Sequence, residues 1–449
     1  MRRYGRGGAD VTGPPRERAC QPLPSPLSRL TFYQMFDTTS ASTPPLSGVR
    51  VVDAATIYAG PMIATLLGDF GADVVKVEHP RGDGLRSWAW HKDGESLWWA
   101  LVGRNKRAVT LALSDPRGAA LLRRLLAEAD VFVENFRPGT FERWGLGPEE
   151  LLGVNPRLVV VRVSGFGQTG PYRSRPGFGT LAEAICGFAD TNGAADGPPV
   201  LPQWPLADGV AALAGAFATM TALRHAERTG EGQVVDLSIY EPLFWILGAQ
   251  TTAYDQLGIV PKRQGSSTDF NVPRECYRTR DGRWVALSGA TAATGRRILR
   301  AVGRDDLADA PWFDEIAGRV AHRDEIDKAI ASWVAERDSD EVLATFDAVG
   351  ATVGPVYSIA DIAADPHFHE RGSITTLEHP TLGPLKMQGL IANLTRTPGR
   401  VRSAGPRLGE HNAEILRDLL QCSPDELARL EADGVVGPTA TRATPDDPS

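Results

Sequence analysis

Five short runs of β-branched residues constrain this chain more than any other feature: VRVVDA at 49–54, VVKVE at 74–78, AVTLAL at 108–113, VFVENF at 131–136 and RLVVVRVSGF at 157–166. Each is almost continuously apolar, the pattern of a strand covered on both faces. Between them lie amphipathic segments with helix-start signals. Pro61 stands at a first-turn position, and Ser114 reads as an N-cap ahead of Asp115 and Pro116. Strands and helices in alternation predict a parallel sheet with helices on both sides, hence an α/β fold built around a Rossmann-like large domain.

The chain divides by texture. Residues 1–45 are rich in Pro, Gly, Ser and Arg and lack an apolar period, so they are expected to be a disordered extension. Met35, just ahead of the patterned sequence, raises the expectation of an over-extended reading frame. The first part of the large domain spans 46–255. The polar stretch TTAYDQLGIVPKRQGSSTDFNVP at 251–273 reads as a linker or mobile loop. A smaller α+β domain is expected over 262–365, strand-like in CYRTRDGRWVALSG at 276–289 and helical through about 350. Residues 366–432 then return to the large domain, ending in the helix HNAEILRDLL from His411, and 433–449 form a disordered tail.

Composition excludes several classes of function. A chain of 449 residues with a formal net charge of -7 offers no broad basic field, so no nucleic-acid partner is expected. Cys20, Cys186, Cys276 and Cys422 are too scattered for a zinc knuckle and too few for a disulfide framework, which fits a reducing cytoplasm. No apolar run approaches the roughly 18–20 residues of a membrane span, so a soluble protein with no membrane partner is expected. The first strand leads into AATIYAGPMIATLLGDFG, which holds no G-x-G-x-x-G, and no Walker A loop occurs, so no resident nucleotide cofactor is expected. The eight histidines form no ligand set. His367 and His369 in DPHFHERG read as a solvated turn, no metal site is expected, and no G-x-S-x-G elbow is present.

Two charged features stand out. In PQWPLADGVAALAGAF at 202–217, Asp208 sits at the mouth of a helix of small apolar residues, where it reads as an N-cap or as a carboxylate that does chemistry. The cluster GRNKRAV gathers Arg104, Lys106 and Arg107, and ENFRPGTFERWG adds Arg137 and Arg143. A solvated face is the plain reading of these cations, and a phosphate-bearing ligand at strand ends the sharper one. The helix opening at Gly60 and Pro61 is a second place for an anion or a purely structural cap.

Taken as an ordered set, DAATIYAGPMIATLLGDFGADVVKVEHPRGDGLR, NKRAVTLAL, VENFRPGTFERWG, NPRLVVVRVSGFGQTGPY, RPGFGTLAEAICG, ADGVAALAGAFATMTALRHAERTGEGQVVDLSIYE and PRLGEHNAEIL resemble successive blocks of the family III CoA-transferases. The resemblance runs from about Leu46 to about Leu420. It implies a CoA-transferase acting on an acyl-CoA and a free carboxylic acid, with CoA thioester as substrate and no permanently bound cofactor, in an interlocked homodimer. The family's catalytic aspartate falls on Asp208, which would form a mixed anhydride and then an aspartyl-CoA thioester.

The resemblance places CoA contacts at Ile57, Tyr58 and Ala59 after the first strand, and at Asn135, Phe136 and Arg143. Tyr58 replaces a glutamine that lies near the acyl group in formyl-CoA transferase, and His79 stands where that enzyme has an arginine. Of that enzyme's glycine-rich lid only Gly265 survives in RQGSSTDFNVP. Trp88 and Trp90 are expected to pack inside, with lining of the acyl pocket as the alternative. The racemases of the same family use a histidine where this chain has Phe178, which cannot carry a proton; this weighs against an α-methylacyl-CoA racemase or epimerase. A non-catalytic CoA-binding subunit of a heteromeric transferase is the remaining alternative.

Overall fold

A computed structural model describes residues 43–437. Its sheets are built from β1 (Arg50–Asp53), β2 (Asp73–Glu78), β3 (His91–Lys92), β4 (Glu95–Ser96), β5 (Lys106–Thr110), β6 (Val131–Glu134), β7 (Val159–Ser164) and β8 (Gln233–Ser238). Six of these form one parallel sheet in the order β5-β2-β1-β6-β7-β8, as the buried β-branched runs require, while β3 and β4 make a small hairpin. Chain order turns outward in both directions from the β1–β6 pair, which makes the carboxyl ends of those two strands the topological switch point.

Each face of the sheet carries its own apolar core. One gathers Val52, Val75, Phe132 and Val160 with the helix Pro116–Leu126, and the other gathers Val51, Val74, Val131 and Val161 with the helices Ala59–Asp69 and Leu206–Thr229. Those last two helices meet closely. A Cβ added at Gly215 would lie 2.4 Å from Ile63 Cδ1, so only glycine lets the pair approach this far.

A third core, around Val285, Ile298, Phe313, Ile330 and Phe346, belongs to the antiparallel sheet β11-β10-β9, with β9 (Arg274–Arg278), β10 (Trp284–Ser288) and β11 (Thr352–Pro355). A final hairpin pairs β12 (Ile374–His379) with β13 (Gly383–Gln388).

Several expectations need correcting. The strand expected at 108–113 starts at Lys106 and stops at Thr110, because Lys106 Nζ is buried against Asp53 and a polar residue thereby occupies a core register. The N-cap expected at Ser114 is Asp115, whose carboxylate accepts the Arg117 N–H at 2.8 Å, with Pro116 at the first helical position. The stretch at 251–273 is not all loop, since Gln250–Leu257 is a helix. His367 and His369 lie on a short exposed helix, Pro366–Glu370. The chain does not close at HNAEILRDLL: Glu414–Leu419 forms a wide π-type turn, and the last helix is Pro424–Ala432, capped by Ser423.

The expected tail at 433–449 begins with Val435 and Val436, 0% and 2% exposed, with the Val435 carbonyl accepting the Ala112 N–H; its residues from 438 on lie outside the described residues, as do residues 1–42 of the expected extension, Met35 among them.

The largest surprise is the helix Leu206–Thr229. By length and composition it could cross a membrane, contrary to the expectation that no segment could. Ala207, Ala211, Gly215, Thr219, Ala222 and Ala226 are buried on its inner side, while Leu213, Phe217 and Met220 are exposed on the outer one.

Candidate active site

The sequence elements expected to meet CoA converge on the switch point. The loop after β1 delivers Ile57, Tyr58 and Ala59, and the loop after β6 delivers Asn135 and Phe136. The Asn135 amide ties the two loops together: its Oδ1 accepts the Thr56 N–H at 2.7 Å and its Nδ2 donates to the Thr56 carbonyl at 2.8 Å. Phe136 packs edge-on against Trp144 and tilted against Phe141, at ring-centroid distances of 5.3 and 5.1 Å. Arg143 stands exposed, holds Thr140 Oγ1 at 3.1 Å, and has no ion-pair partner among the described residues. Ala59 is buried. His79 is exposed and accepts the Arg81 N–H on Nδ1 at 3.1 Å.

Ile57 takes a positive φ of 67°, a region that strongly disfavours a β-branched residue, at a cost of roughly 1–3 kcal/mol. The strain is held from below by buried charge. Ile57 N–H donates to Asp83 Oδ1 at 3.1 Å, and Ala55 N–H to Asp53 Oδ1 at 3.0 Å. Parallel register sets Asp53 beside Lys76. Lys76 Nζ lies 3.6 Å from Asp53 and 3.4 Å from Asp83 and also donates to the Ala55 carbonyl, while Lys106 Nζ donates to Asp53 Oδ2 at 2.9 Å and to the Pro61 carbonyl at 2.7 Å.

Burial works against the charge on both lysines. For Lys76 the surrounding acids Asp53, Asp83 and Glu78 overcome it and raise the pKa, whereas Lys106, repelled by Lys76, stays lowered.

The basic cluster GRNKR is therefore neither a solvated face nor a phosphate site. Arg104 is buried on Asp69, Lys106 on Asp53, and Arg107 chelates Asp73 through Nη2 at 2.7 Å to both oxygens.

Asp208 is not an N-cap. Pro205 holds that position, no side chain caps the helix from within, and Asp208 stands at the third helical residue. Its carboxyl is pushed up to about 6, first by burial and then by the negative charge of Glu183. One carboxylate oxygen is set against Gly179: a Cβ built there would fall 1.8 Å from Asp208 Oδ2. Gly209 beside it opens on free space. A Gly179→Ala variant should therefore displace the carboxylate, read as altered carbodiimide labelling of Asp208, with little change in melting temperature.

Glu183 and Gly179 both lie on the helix Gly179–Ile185, whose N-cap is Phe178, 67% exposed. Neither stood out in the sequence, although GTLAEAI offers the same anomaly as PLADGVAAL, a lone acid in a small apolar run.

The Tyr58 phenol is raised by burial and by the Asp208 charge. Its ring meets Trp98 edge-on at 5.7 Å. Trp98 in turn meets Trp88 at 5.7 Å and Trp204 at 6.4 Å, and Trp204 meets Trp90 at 5.8 Å. Trp88 and Trp90, expected inside, are 41% and 59% exposed. Trp90 immediately precedes β3, and Trp88, Trp90 and Trp204 lie open while Trp98, half-buried, packs against the small core of Leu85, Trp99 and Val102. Trp98 and Trp204 complete the wall of rings and carry no sequence motif of their own.

The chain is similar to known proteins over most of its length. The sequence profile described as CoA-transferase family III matches residues 46–412. The chain is 41% identical over 394 residues to the succinyl-CoA–D-citramalate CoA-transferase of Chloroflexus aurantiacus, covering 87% of this chain and 98% of that one. It is 42% identical over 402 residues to the β subunit of the succinyl-CoA–L-malate CoA-transferase of the same organism, covering 88% and 99%. Among solved structures, a CAIB/BAIF family protein from Brucella suis superposes with a TM-score of 0.74 at 30% identity, covering 84% of this chain and 100% of that one.

Proposed function

Since this chain belongs to the family III CoA-transferases, we propose that it moves CoA from an acyl-CoA thioester to a free carboxylic acid with Asp208 as the nucleophile. The observation that carries the assignment to Asp208 is its setting: a carboxyl raised to about 6 on the first turn of a long helix, seated against a glycine. Above that pH the carboxylate is ionised and can attack the thioester carbonyl, giving a mixed anhydride and CoA thiolate. The thiolate then attacks the Asp208 carbonyl, which forms an aspartyl-CoA thioester and frees the donor acid. An incoming carboxylate repeats both exchanges in reverse and restores Asp208. The positive end of the helix Leu206–Thr229 stabilises negative charge developing on that carboxyl.

Ile57, Tyr58, Ala59, Asn135, Phe136 and Arg143 supply the CoA site in this reading. The strained, doubly tied loop presents backbone, Phe136 an aromatic surface, and Arg143 a free cation for phosphate. Phe178, in the place of a proton-carrying histidine, leaves no partner acid on that side for epimerisation. A homodimer is part of the proposal: the exposed Leu213, Phe217 and Met220 form an apolar helix face of the kind a second subunit covers. Similarity to a β subunit keeps a two-chain enzyme as the second reading.

The test is mass spectrometry of the protein with succinyl-CoA or acetyl-CoA and a panel of acids in deuterated water. New CoA thioesters and a CoA adduct on the Asp208 peptide are expected from the protein alone. Activity that appears only with a second chain would establish the two-chain reading. Deuterium at the α-carbon without any new thioester would sink the transfer reading.

A further inference from the structure

The helix that carries Asp208 starts without a cap of its own, and the missing acceptor arrives from another element. Glu183, on the helix Gly179–Ile185, is 3% exposed, and its Oε1 accepts the Ala207 N–H at 3.1 Å. Ala207 is the residue immediately before Asp208 and is itself fully buried. A buried carboxyl is costly unless something holds it, and Glu183 has no ion pair to a cation among the described residues. What holds it is the free backbone at the start of the Asp208 helix. The same helix also contributes Gly179, against which the Asp208 carboxylate rests. One short helix thus meets the Asp208 carboxylate at Gly179 and holds the backbone of the preceding residue through Glu183.

We propose that Glu183 is a positioning residue for the Asp208 nucleophile, fixing the first turn of its helix and setting the charge that its carboxylate feels. The inference rests on the transfer reading above. Two titratable groups interact electrostatically with Asp208: Glu183 from the helix Gly179–Ile185 and the Tyr58 phenol, the N-cap of the helix Ala59–Asp69. Beside Glu183 stands the Cys186 thiol, raised by burial and by the Glu183 charge among other contacts. Glu183 is itself raised by burial, against the backbone N–H groups it accepts. Two carboxyls in one half-dry site oppose each other's ionisation, so the one left after neutralising its neighbour ionises at lower pH.

The replacements separate the two roles. Glu183→Gln keeps an oxygen for the Ala207 N–H and removes the charge. Glu183→Ala removes both. Two readouts are needed: the pH dependence of carbodiimide labelling at Asp208, read by mass spectrometry of its peptide, and the pH dependence of turnover with succinyl-CoA. Labelling falls as pH rises through the carboxyl midpoint, and turnover climbs through the same point.

For Glu183→Gln both midpoints should move down by roughly half a pH unit or more. For Glu183→Ala the plateau should drop by about 10–100-fold with KM for the CoA thioester little changed, as expected for a misplaced nucleophile. A Glu183→Gln midpoint within about 0.2 pH unit of wild type, or a Glu183→Ala plateau equal to wild type, overturns the assignment. If the wild type yields no new CoA thioester with any acid offered, the transfer reading falls, and the labelling midpoint of the isosteric Gln variant still decides what Glu183 does.

Discussion

Replacing Asp208 by alanine or asparagine should lower CoA transfer by roughly four orders of magnitude and leave the protein folded. The loss is large because the carboxylate would take part covalently in every step of the exchange, and an amide or a methyl cannot form the anhydride. The fold should survive because Asp208 caps no helix and accepts no long-range hydrogen bond. Its raised carboxyl shows that burial and the Glu183 charge work against it. Circular dichroism, size-exclusion elution and melting temperature close to wild type, alongside the kinetic loss and the disappearance of the CoA adduct, are the expected set. Substantial turnover in either variant would remove the covalent route through this residue.

The largest stability effect should come from Asp53. Its two oxygens meet Lys76, Lys106 and the Ala55 N–H, and all three side chains are at most 4% exposed. Asp53→Asn leaves two buried ammonium groups short of their counter-charge, a loss of about 3–5 kcal/mol for breaking a buried pair. With an unfolding entropy of about 2.1 cal/mol/K per residue, a chain of this size should melt about 3–5 °C lower. Adding Lys106→Met to Asp53→Asn should recover part of the loss, because the uncompensated cation goes with it. A double-mutant cycle with no coupling energy would contradict the network. Since the Ala55 N–H hangs from Asp53 and Lys76 links Asp53 to the Asp83 that holds Ile57, the single variant should also raise KM for the CoA thioester.

These two aspartates show how unevenly the sequence reveals the fold and the site. The sheet was legible because buried parallel strands must be apolar along their whole length, and five such runs mark five of the six strands. The strand starting at Lys106 was misplaced for the converse reason: an ion pair lets a lysine occupy a core register, and no local pattern announces its distant partner Asp53. The same blindness turned Arg104 and Arg107 into candidate ligands when their acids, Asp69 and Asp73, lie some 35 residues earlier in the chain.

Asp208 could be singled out because an acid in a run of alanine and glycine is anomalous within one turn of helix. Gly179, Glu183, Trp98 and Trp204 could not, since each gains its meaning only when separate elements meet. Trp88 and Trp90 were assigned inward on their hydrophobicity. The β3–β4 hairpin that follows Trp90 is too short to leave a periodic signature.

The ring wall has a consequence for how such an enzyme diversifies. Tyr58, Trp88, Trp90, Trp98 and Trp204 form one continuous run of ring contacts, none of them shares a described hydrogen bond with the Asp208 carboxyl, and the helices that fix Asp208 do not depend on the outer indoles for their packing. On the proposed reading, acid preference and bond chemistry would be housed in separable parts. Mutational drift along the wall would then retune which carboxylic acid is admitted while the Asp208–Gly179–Glu183 unit stays untouched, so descendants of one ancestral chain would acquire new partners for CoA without reinventing the exchange.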